Sequence, residues 1–184
     1  MLEKNYPLAI IDFSDAIRLE PENAGLYGNR SGAYVASKQY ELSIADSSKA
    51  IALRPDSPLL FSSRSVAYIA MGKFDAAIQD LDRAIELKPD YAQAYANRGS
   101  ARQLKGDPDG AITDLNKALS LAPSYGLAYT RRAEAYLDKG DSVQAEADCR
   151  KALELHREGN QDLGYDLPGH SFHCAENGPI RSAS

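Results

Sequence analysis

Four arginines, Arg30, Arg64, Arg98 and Arg132, stand 34 residues apart, and five aspartates, Asp12, Asp46, Asp80, Asp114 and Asp148, repeat at the same interval. A guanidinium is planar and permanently charged, and it suits two-point pairing with a carboxylate where helices abut. The two series predict a ladder of interhelical ion pairs. Two pairings fit: within one repeat, or from one repeat's aspartate to the next repeat's arginine. A row of arginines could instead hold an anionic ligand, but the matched aspartates favour a structural role. Exposed pairs contribute little free energy, so such a ladder sets register more than stability.

Other reactive groups are sparse. His170, His173 and Cys174 in GHSFHC are metal-ligand types, but they lie in a Gly/Pro-containing stretch with no second ligand cluster nearby. Cys149 sits on a predicted helix with no histidine in sequence reach, which fits a packed thiol rather than a nucleophile. His156 ends the last predicted helix, where a cation suits the dipole. The glycines match no phosphate-binding loop, and the carboxylates fall mostly on solvated helix faces, with no pair marked as acid and base. These residues predict a protein that is not an enzyme and that needs no metal or cofactor.

The elements that carry the ladder repeat with it. Pro21, Pro55, Pro89 and Pro123 keep the 34-residue frame, as do Tyr27, Phe61, Tyr95 and Tyr129, and Ala33, Ala67, Ala101 and Ala135. So do Ala16, Ala50, Ala84, Ala118 and Ala152, and Leu19, Leu53, Leu87, Leu121 and Leu155. Each unit reads as two helices. LYGNRSGAYVA, LFSSRSVAYIA, AYANRGSARQL and AYTRRAEAYLD have apolar or small residues at helical spacing. Breaks at SKQ, GKF, GDP and GDS follow. The second helices, such as IQDLDRAIEL and ITDLNKALSL, stop before their prolines, as X-Pro sterics require. Helices of about a dozen residues are marginal alone, so each must bury its stripe on its neighbours, which makes a solenoid.

Composition narrows the function classes. Hydrophobic residues make up 43% and charged residues 26% of 184, ordinary for a globular chain. Lys+Arg 21 against Asp+Glu 26 gives a net charge of −5, which argues against a nucleic-acid partner. No apolar run is long enough for a membrane span. Two cysteines make no disulfide framework, so reduced thiols and a cytoplasmic location are the default. There are eleven Tyr, four Phe and no Trp; ten of the tyrosines fall in repeat registers.

The 34-residue helix-turn-helix, with its Tyr, Gly/Ser, Ala-Tyr, Ala, Ala and terminal Pro, resembles the tetratricopeptide repeat (TPR). The resemblance covers residues 1–156 and implies an all-α, right-handed superhelix whose first helices line a concave groove. Residues 1–22 would be the second helix of an incomplete repeat. Residues 23–157 would hold four units starting near 24, 58, 92 and 126, and 158–184 a loop-like or disordered tail. Ser47, Arg102, Pro108 and Arg157 depart from the pattern. Glu146 and Cys149 polarise the outer face of the last second helix, as a terminal cap needs. The N-terminal helix carries more apolar residues than one side of contacts can use. That fits a fragment of a longer array, and it also offers a surface for self-association.

On the family's architecture, the groove lining is Gly28, Asn29, Gly32, Leu59, Ser62, Ser63, Val66, Gln93, Asn97, Ser100, Leu127 and Arg131. It suits a protein partner bound as an extended peptide or helix. YGNRSGAY and YANRGSA also resemble co-chaperone TPR segments, which clamp an acidic C-terminal tail. Asn29 and Asn97 match that clamp's asparagine and Arg131 its arginine, whereas its lysine places are filled by Ser62, Val66 and Leu127. A targeting or regulatory region of a larger enzyme is a further alternative.

Overall fold

The computed structural model describes residues 5–157, 172–175 and 178–181. The described helices are α1 (Tyr6–Leu19), α2 (Ala24–Ala36), α3 (Tyr40–Leu53), α4 (Pro58–Ala70), α5 (Phe74–Leu87), α6 (Ala92–Leu104), α7 (Pro108–Leu121), α8 (Gly126–Asp138) and α9 (Ser142–Arg157). Two short strands follow, β1 (Phe172–Ala175) and β2 (Gly178–Arg181). The fold class is all-α, built of helix-turn-helix units.

Local chemistry sets the boundaries. Arg54, Lys88 and Ala122, each directly before a proline, leave helical geometry at φ near −140° (−140°, −142° and −138°). Proline's ring forbids the helical region to its predecessor, so the second helices end there. The first helices end differently. Lys38, Gly72, Gly106 and Gly140 take left-handed φ of 60°, 71°, 90° and 79°. The next residue's N–H then reaches back five positions, as in Lys73 N to Tyr68 O at 2.9 Å and Asp107 N to Arg102 O at 2.9 Å. This Schellman closure satisfies orphan carbonyls and recurs in all four turns. Asp107 caps α7 by accepting from Gly110 N at 2.9 Å.

The chain divides into two compact units, Met1–Pro89 and Asp90–Ser184. In the first, Ala24, Ala50 and Leu60 form a buried cluster flanked by Tyr27, Ile51 and Leu53. In the second, Leu115 and Leu119 are buried with Ala96, Ala111, Ala118, Ala128 and Ala135, flanked by Tyr95, Ile112, Tyr125 and Tyr129. These alanines are buried because two helix backbones meet there, and a larger side chain would hold them apart.

One helix pair departs from this apolar rule. Ser47 stands where the later second helices have Leu81 and Leu115, and Ser31 where α6 has Gly99. Ser31 Oγ lies 2.8 Å from Ser43 Oγ and 2.5 Å from Ser47 Oγ, so hydroxyls that would be costly when buried satisfy one another.

The expectation of an irregular tail is corrected in part. β1 and β2 pair antiparallel, with Phe172 opposite Arg181 and Ala175 opposite Gly178. An isolated two-stranded hairpin is marginal in water, and this one packs on α9. That support is tertiary and leaves no periodic trace in the local sequence. The rest of the 158–184 segment, His170 and the His173 side chain lie outside the described residues.

Candidate functional site

The arginine ladder is built within each unit, across helix pairs whose partners are 16 residues apart. Arg30 Nε and Nη2 donate to Asp46 Oδ2 and Oδ1 at 2.6 and 2.8 Å. The same fork recurs from Arg64 to Asp80 at 2.8 and 2.7 Å, and from Arg98 to Asp114 at 2.9 and 2.7 Å. Arg132 closes on Asp148 at 2.7 and 2.6 Å. The third nitrogen reaches the preceding second helix: Arg30 Nη1 to Ser14 Oγ, Arg64 Nη1 to Ser48 Oγ, and Arg132 Nη1 to Asn116 Oδ1. Each of these three arginines thus ties three helices. Their guanidinium pKa values are raised above the ordinary value by the carboxylate hydrogen bonds, against the opposing effect of burial, with the aspartate charge adding.

The tyrosine registers belong to this device. Arg30 lies 5.9 Å from the Tyr27 ring centre and 5.8 Å from that of Tyr34. Arg64 sits likewise by Phe61 and Tyr68, and Arg132 by Tyr129 and Tyr136. Stacking on aromatic faces favours a weakly hydrated cation. Aromatic residues three before and four after each arginine are the sequence signal for this sandwich. Where Arg102 takes an aromatic place, its Nη1 lies 2.8 Å from Asp114 Oδ2 instead.

The groove residues fall into two groups. In the first unit, Asn29 and Gly32 on α2 and Leu59 on α4 are exposed, while Gly28, Ser63 and Val66 are half-buried and Ser62 is buried. In the second unit, Gln93 is exposed and Leu127 half-buried, but Asn97, Ser100 and Arg131 are only 7%, 2% and 2% exposed. Arg131 Nη1 lies 3.6 Å from Glu134 Oε2. A carboxylate clamp needs cations presented to solvent, and this arginine is enclosed beside an acid.

The thiol expectation is corrected. Cys149 on α9 and Cys174 on β1 are joined as a disulfide, with Cα atoms 5.1 Å apart. The hairpin brings Cys174 against the cluster of Ala133, Ala145 and Cys149, within bonding range. Cys174 is therefore not a free metal ligand. The cysteine count also no longer supports a reducing compartment. Among the described residues, no helix is long and apolar enough to cross a membrane.

Comparisons with known proteins fit this geometry. The TPR repeat model matches residues 66–106, one tetratricopeptide repeat model matches 92–125, and another matches 24–57 and 127–158. No curated protein matches the sequence. Among solved structures, the chain is similar to MamA, with 26% identity and a TM-score of 0.72 over 85% of this chain and 92% of that one. It is similar to TTC0263 of Thermus thermophilus, a thermophilic TPR protein, with 22% identity and a TM-score of 0.73 over 86% and 90%. It is also similar to YrrB, described as a TPR protein with an unusual peptide-binding site, with 20% identity and a TM-score of 0.65 over 86% and 81%. With family models covering most of its helices and TPR proteins as its structural relatives, the chain belongs to the tetratricopeptide repeat family.

Proposed function

We propose that this chain is a protein-interaction module that receives an extended peptide or a partner helix on the first-helix face of its first unit, along α2 and α4. The observation that carries this is the thinning of side chains on α2. A Cβ added at Gly32 would meet nothing within 4 Å, and Gly32 is exposed. Beside it Asn29 offers an exposed amide, and on α4 Leu59 is 59% exposed. Amides that pair with a partner's backbone, set beside shallow apolar contacts, are what peptide recognition uses. The family's general character as a scaffold rather than a catalyst supports a binding role. The enclosed second-unit residues do not favour an acidic-tail clamp.

Selection of a displayed random peptide library against the intact chain tests this assignment. Enriched peptides should lose at least tenfold in affinity for Gly32→Trp and Leu59→Asp, both of which alter surface positions. Peptides that bind all three proteins equally would remove this face from consideration.

A further inference from the structure

Charged residues make up 26% of the chain, yet α2 and α4 carry one apiece in 13 positions, Arg30 and Arg64. Neither charge is available to a partner. Arg30 is forked on Asp46 and reaches Ser14, and Arg64 is forked on Asp80 and reaches Ser48. Both arginine side chains are 18% exposed. Other helices are not neutral. The first helix α8 carries Arg131, Arg132, Glu134 and Asp138, and the second helix α5 carries Asp75, Asp80, Asp82, Arg83 and Glu86. The neutrality therefore belongs to the first helices of the first unit and not to the repeat pattern.

Charge returns at the helix ends, with Glu20, Glu22 and Asp56 before the two helices and Lys38 and Lys73 after them. A helix of 13 residues is about 20 Å long, so its middle lies roughly 10 Å from either group, about one Debye length at physiological salt. The middle of the strip offers apolar and amide groups. Leu59, Ser63 and Val66 share one face of α4, and Asn29 and Gly32 one face of α2. The Asn29 amide presents a donor and an acceptor together. An extended chain has N–H and C=O groups free to meet them, whereas a helix has already bonded its own. A charged side chain set on this strip would lose water and gain no counter-charge. We infer, resting on the binding role proposed above, that the occupant of the α2/α4 strip is an extended peptide whose contact side chains are apolar or amide. The strip rejects acidic and basic segments alike, so exclusion of charge rather than an ion pair sets its specificity.

The test starts from a displayed random peptide library selected on the full chain, with clones that also bind the Gly32→Trp chain removed. Among the remaining clones, Asp, Glu, Lys and Arg should be depleted relative to the input library. A synthesised clone should keep its affinity within about twofold between low and high salt, because no ion pair forms. Asp and Lys, placed in turn at the positions that alanine scanning marks as contacts, should each weaken binding about tenfold. Leu59 is 59% exposed, so Leu59→Lys adds a cation at the surface and leaves the core intact. On that chain the Asp-bearing peptide should regain about threefold in affinity and the Lys-bearing one should not. Clones rich in one sign of charge, an affinity that falls steeply with salt, or contacts that accept Asp or Lys without loss would overturn this inference and leave the site in place. A library that yields no clone sensitive to Gly32→Trp would remove the site itself, and this inference with it.

Discussion

Gly99 on α6 and Leu115 on α7 meet so closely that a Cβ on the glycine would stand 2.9 Å from Leu115 Cγ and 3.1 Å from the Ala111 carbonyl oxygen. A glycine inside a helix costs about 1 kcal/mol relative to alanine, so this one is retained for packing. Gly99→Ala should therefore destabilise by about 1–3 kcal/mol, because the contact on the carbonyl side is backbone and cannot swing away. Gly32→Ala, whose new methyl meets open space, should stabilise by about 0.5–1 kcal/mol. Urea unfolding of the two variants checks both signs; a stabilised Gly99→Ala would show that α6 and α7 can separate freely.

The fork between Arg64 and Asp80 makes a second prediction. Its side chains are 18% and 8% exposed, against 77% and 60% for Arg18 and Asp15. Asp80→Ala should cost about 2–4 kcal/mol, since it strands a largely enclosed guanidinium. Asp15→Ala should stay within about 0.5 kcal/mol. Pairing Asp80→Leu with Arg64→Met should recover part of the loss, with a coupling of about 1–2 kcal/mol in a double-mutant cycle. Additive losses would show that the ladder is decorative.

That ladder also marks what can be read from residues alone. The arginine and aspartate series are plain in the 34-residue frame, but two pairings satisfy the same spacing. Only the packing of each helix pair selects the one within the unit, with Arg30 on Asp46 rather than on Asp12. The repeat also misleads where copies differ. Asn29 and Asn97 share a register, yet Asn29 is exposed and Asn97 is 7% exposed, because a register fixes direction on a helix and not what lies beyond it. Cys174 lies outside the period, so its bond to Cys149 leaves no pattern to find.

Lys38 offers a third test. It holds the left-handed position that glycine holds in the other three turns, with φ 60°. A side chain there costs roughly 1 kcal/mol through the clash of Cβ with the following carbonyl. Lys38→Gly should raise stability by about 0.5–1 kcal/mol, and Gly140→Ala should lower it by a similar amount. Thermal unfolding at matched pH and salt reads both. Unchanged stability in both variants would mean that these turns tolerate either residue without strain.

The disulfide between Cys149 and Cys174 spans a sequence separation of 25. In the chain-entropy account, closing such a loop stabilises by roughly 3 kcal/mol. Cys174→Ser is the cleaner variant. Cys149 is 1% exposed, so a serine there would also bury a hydroxyl among Ala133 and Ala145. Cys174→Ser should lower stability by about 2–4 kcal/mol, and reductant should shift the native chain by the same amount while leaving the variant unmoved. Amide exchange should localise the change, because β1 and β2 pack on α9 and a hairpin of two strands holds poorly without such support. Exchange protection of the hydrogen-bonded amides of β1 and β2 should fall to that of open chain on reduction while α6 and α7 keep theirs. If the hairpin amides stay protected with the bond cut, packing on α9 alone is enough to hold the strands.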